Sequence, residues 1–158
     1  MKNIDEPIFN RWHSLNSAAS RAMTEKRFND ATQTYYLALN EARRILGRYW
    51  RHPSQAGQAL DAWTRSAIDC SRSHQVRYQK RAAQQVLIEH AECLVQIHSH
   101  AGHGWALRVN AARGVPLLLG QLRAKFDLEA AMLSRVSLAH DSTRQFWQRQ
   151  LRCYRRDA

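Results

Sequence analysis

Apolar residues recur along the chain at three- and four-residue steps, the period that places them on one face of an α-helix. Trp12, Leu15, Ala19, Ala22 and Met23 mark a first helix from about residue 8 to 24. Ala31, Tyr35, Ala38, Leu39, Ala42, Ile45, Leu46 and Tyr49 keep the period in a second, which Gly47, Pro53 and their polar neighbours bring to a close. Ser54 is placed to cap a third helix bearing Leu60, Trp63, Ala67 and Cys70, and a fourth carries Ala83, Val86, Leu87, His90, Leu94 and Ile97. The break between them, near residues 71–75, holds no Gly or Pro, so one long kinked helix is the alternative there. Gly102, Gly104, Gly114 and Pro116 form the densest cluster of breakers and predict a loop or short helix over residues 101–115. Pro116 then suits the first turn of a fifth helix with Leu119, Leu122, Phe126, Ala130, Leu133 and Val136 on its face. Asp141 or Ser142 caps a sixth, carrying Phe146, Trp147, Leu151 and Tyr154.

Each helix is apolar on one face only, so the faces must be buried against one another, and short connections favour antiparallel neighbours. The expected fold is all-α: about six helices stacked as antiparallel pairs over residues 8–50, 54–99 and 116–156, in one domain spanning 1–158. The 158 residues suit one domain with a real core, and six Gly and three Pro leave little turn material for an all-β chain.

One segment carries more than periodicity. Leu15, Ala18, Ala19, Ala22, Phe28, Ala31, Tyr35, Ala38 and Leu39 follow the spacing L-x2-AA-x2-A-x5-F-x2-A-x3-Y-x2-AL. Over residues 12–45 this resembles the tetratricopeptide repeat (TPR), whose helix pairs meet through small residues 12 positions apart, here Ala19 and Ala31. Ala67 with Cys70 is the nearest echo of a second first-helix motif. The turn at Glu25, Lys26 and Arg27 lacks the usual Gly, and no Pro closes the unit near residue 43, so a degenerate, TPR-like protein is expected rather than a regular array. The resemblance implies a groove lined by the first helix, which carries over to His13, Asn16, Ser20 and Thr24. The family's clamp for a terminal carboxylate needs Lys where Asn16 stands, so that specialised role is not implied.

Charge narrows the partners. The chain has 24 Lys plus Arg against 13 Asp plus Glu, a formal +11, and residues 101–158 alone carry 10 bases and 4 acids. Such a surface attracts acidic proteins or polyanions. Arg144, Arg149, Arg152, Arg155 and Arg156 accompany aromatics in the last predicted helix, which makes nucleic-acid binding through that basic surface the alternative to a protein partner. A third reading is a metal site at His98, His100 and His103, whose imidazoles suit zinc or copper at a spacing that is not diagnostic. No GxSxG, P-loop, GxGxxG or HExxH occurs, so no enzyme and no cofactor is expected. Cys70, Cys93 and Cys153 form no CxxC, and neither a signal peptide nor a membrane span stands out. These features point to a cytoplasmic interaction module, with self-association through aromatic-rich helices a further option.

Overall fold

Five helices account for most of residues 6–126, the part of the chain that the computed structural model describes: α1 (Glu6–Thr24), α2 (Phe28–Tyr49), α3 (Pro53–Val76), α4 (Lys80–Ser99) and α5 (Trp105–Lys125). No strand occurs among the described residues. The predicted sixth helix and Arg144, Arg149, Arg152, Arg155 and Arg156 lie outside them.

The connections α1–α2 and α3–α4 share one construction. Lys26 takes φ 59° and Tyr78 takes φ 58°. At the first, the Arg27 and Lys26 amides donate to the carbonyls of Ala22 (2.9 Å) and Met23 (3.1 Å); at the second, the Gln79 and Tyr78 amides donate to those of His74 and Gln75, both at 2.9 Å. This pair of bonds closes a helix when one residue turns left-handed, the conformation that favours glycine. The turn around Lys26 therefore forms without the Gly whose absence the sequence flagged.

The two turns lie 52 residues apart, and the positions around them correspond. Ala19 and Ala31 are both fully buried. Their counterparts are Ser71 and Ala83, also buried, and the Ser71 hydroxyl donates to the Ala83 carbonyl across 2.9 Å. Small side chains at both places let the helix backbones approach. Ser71 with Ala83 is thus a second small pair at the same spacing, concealed from an apolar pattern by a hydroxyl, and the buried Ala67 and Cys70, the expected echo of the first-helix motif, stand 52 residues after Leu15 and Ala18.

Three expectations are corrected. His52, without a side-chain bond, occupies the α3 N-cap instead of Ser54, and Pro53 starts the helix, where its missing N–H is harmless. The break after α3 falls at residues 77–79 rather than 71–75, because Ser71, Ser73 and His74 are buried within the helix. Residues 105–115, expected as loop or short helix, belong to α5, which runs through Gly114 and Pro116. Pro116 cannot donate to the Ala112 carbonyl, which costs about 3 kcal/mol in a helix interior. Leu107, Ala111, Val115, Leu118, Leu119 and Leu122 are buried on both sides of the breakers, and each buried leucine returns about 1.5–3 kcal/mol. The helix is capped at Phe126, whose backbone is extended, and Ala130, Leu133 and Val136 of the predicted face lie outside the described residues.

The core lies where α3 meets its neighbours: α2 packs on α1 and α3, while α4 and α5 pack on α3 and on each other. Leu60, Leu87, Leu94, Leu118 and Leu122 are fully buried there. Gly114 permits the closest approach, since a Cβ on it would sit 2.6 Å from Cδ1 of Leu94. Trp12 ties α1 to α3 by donating its indole N–H to the buried Ser66 hydroxyl at 2.7 Å.

Candidate protein-binding groove

Short turns reverse the chain at each step, so α1, α3 and α5 run in the same direction. Paired residues confirm it for α3 and α5: Gly57 faces Asn110, Asp61 feels Arg113, and Asp69 feels Lys125. For α1 and α3 the same order holds, with Trp12 bonded to Ser66 and His13, Asn16 and Ser20 sharing a groove with Arg65, Asp69 and Arg72. That groove holds about 610 Å³, and Ser17 and Tyr35 complete its polar lining. Beyond the α3 ridge, a second depression of about 430 Å³ runs between α3 and α5, where the half-exposed Leu117 offers apolar surface.

Three of the four expected groove residues are therefore brought together. Thr24 is not among them: it lies exposed on the last turn of α1, its hydroxyl donating to the Ser20 carbonyl. Asn16 donates through Nδ2 to the Trp12 carbonyl at 2.9 Å, and its Oδ1 is buried without a hydrogen-bond partner among the described residues. Arg65, Asp69 and Arg72 were missed in the sequence. Their spacing, acid four residues after one base and three before the next, marks one helix face, but without knowing which face is apolar it reads as ordinary solvated charge.

Asp69 is half-buried, and burial pushes its carboxyl above the ordinary value against the pull of Arg65, Arg72 and Lys125. None of the three groove charges makes an ion pair within 4.0 Å among the described residues, whereas Arg27 binds Glu25 and Asp30, and Glu41 binds Arg44 and faces Arg11. The groove charges are thus held near one another without neutralising contacts.

The other candidates separate. No group of three metal-ligating side chains assembles among the described residues. His98 is buried with Nδ1 3.3 Å from the Arg108 carbonyl, while the His103 ring packs against Trp50 and His100. His100 uses its own Nδ1 to accept the Gly102 amide at 3.1 Å. His90 is a core residue, edge-on to Trp63, with Nε2 3.2 Å from the Thr64 hydroxyl, and burial pulls its pKa down to about 4. It lines a cleft of about 330 Å³ between α2 and α4 together with Cys93. Burial raises the thiol of Cys93 and pushes that of Cys70 up to about 12, so neither presents a thiolate at neutral pH. No helix among the described residues is long and apolar enough to cross a membrane.

Comparison with protein families, curated proteins and solved structures finds no match.

Proposed function

We propose that this chain is a TPR-like protein-interaction module, without catalytic activity or cofactor, that works in the cytoplasm by presenting its α1–α3 groove to a segment of a protein partner. The observation that carries the reading is the convergence of His13, Asn16 and Ser20 with Arg65 and Arg72 on one open groove. The two matching turns, and the buried small pairs Ala19 with Ala31 and Ser71 with Ala83, support the TPR-like part. The mechanism is shape with charge: packed helices hold the groove open before binding, which lowers the ordering cost, and its cations speed encounter with an acidic segment.

Photo-crosslinking from His13, Asn16 and Ser20 tests this, with the exposed Gln33 of α2 as control, in lysate with and without nuclease treatment. Discrete protein adducts from the groove positions, absent from position 33 and blocked by Ser20→Trp on the groove, are expected. Equal labelling from position 33, or no protein adduct, refutes the groove. Adducts that vanish on nuclease treatment favour the nucleic-acid alternative.

A further inference from the structure

The titratable side chains lining the α1–α3 groove form a row. Arg65, Asp69 and Arg72 stand on α3 at i, i+4 and i+7, the spacing of one helix face, and His13 faces them from α1. At 1.5 Å per residue, the two arginines are separated along the axis by about 10 Å, with the carboxylate between them. The middle of the row therefore holds an acceptor, the half-buried Asp69 carboxylate. The guanidinium at each end makes no ion pair within 4.0 Å among the described residues.

We infer that the groove selects a partner α-helix carrying an acid–base–acid row, its two carboxylates meeting Arg65 and Arg72 and a Lys or Arg between them reaching Asp69. This rests on the groove being the partner site. A helix is the fitting occupant because its rise matches that of α3, so charges stay in register over the full row. An extended strand, at about 3.3 Å per residue, spans the same distance in three residues, but its side chains alternate faces, so the third charge would point away from the groove. The row reads E-x3-K-x2-E when the partner lies parallel to α3 and E-x2-K-x3-E when antiparallel. A basic centre is required as well as acidic ends: an all-acid helix sets a third carboxylate against a half-buried, desolvated Asp69, and like charges at that distance oppose binding.

The test uses the full chain and fluorescein-labelled 18-residue helical peptides, read by anisotropy at low salt. Four peptides are compared: both acid–base–acid orders, the all-acid peptide, and the inverted K-x3-E-x2-K, all matched for helicity by circular dichroism. One acid–base–acid order is expected to bind roughly tenfold tighter than the inverted and all-acid peptides, as a few partly exposed charge pairs give together. The triple variant Arg65→Glu, Asp69→Lys, Arg72→Glu, checked for helicity, is expected to reverse the preference toward the inverted peptide, a gain that misfolding cannot produce. All-acid binding as tight as acid–base–acid binding, no discrimination, no reversal, or no peptide binding overturns the proposal. If groove crosslinks persist while discrimination fails, the charge row is wrong and the groove stands; if the crosslinks also fail, both fall.

Discussion

His90 offers a sharp check on the packing, because its surroundings bear on one proton. The ring is 4% exposed, edge-on to Trp63 at 4.1 Å, with Nε2 near the Thr64 hydroxyl. Burial lowers its pKa to about 4, while the unfolded chain returns it to roughly 6.5. Below 6.5 the unfolded state takes up a proton that the folded state refuses, so stability falls with pH until the folded ring also titrates. Between pH 7 and pH 5 this amounts to about 2 kcal/mol, and to about 3 kcal/mol once both states are protonated. Urea unfolding at pH 7 and pH 5, for the native chain and His90→Gln, measures it. Gln retains a polar partner for Thr64 and removes the proton site. His98 and His103, both lowered by burial, titrate in each protein and cancel from the difference. The native chain is expected to lose about 2 kcal/mol more than the variant over that interval. Equal losses, or a His90 imidazole that titrates near 6.5 by NMR in the folded protein, would refute the reasoning.

Other consequences are accessible to the same unfolding assay. Tyr78 is 95% exposed and held at φ 58°, so Tyr78→Gly relieves left-handed strain without losing packing and is expected to stabilise by about 1 kcal/mol; a loss of stability contradicts the turn. Gly120→Ala on α5 meets open space and is expected to gain roughly 0.5–1 kcal/mol from helix propensity. Gly114→Ala, on the same helix, collides with the buried Leu94 and is expected to lose roughly 1–2 kcal/mol after that gain is subtracted; equal effects at the two sites would deny the close approach of α5. Ser66→Ala leaves the Trp12 indole N–H unpaired in a buried position and is expected to cost about 1–3 kcal/mol, with a changed Trp fluorescence that reports the lost bond.

What the sequence disclosed followed from which interactions are local. The stripes of α1 to α4 were legible because three- and four-residue periodicity is a property of one helix. Pro116 and Gly114 misled because breakers act through local backbone cost, whereas α5 is held by leucines packing on α3 and α4, outside any local window. Ser71 was passed over because a serine counts as polar until its hydroxyl is seen to find a helix carbonyl. Among the candidate site residues, His13, Asn16 and Ser20 came from the resemblance and do share a groove. Arg65, Asp69 and Arg72 came only from coordinates, since a charge becomes part of a site through the helix opposite it.

The two helix-closing turns have a bearing on ancestry. Their bonds run between main-chain atoms alone, and Lys and Tyr occupy the same left-handed position with equal success. Selection can therefore rewrite nearly every letter around such a corner while its shape endures. Kinship for a chain of this kind is better sought in intervals than in identities: two small residues twelve apart, then the same two again fifty-two positions on.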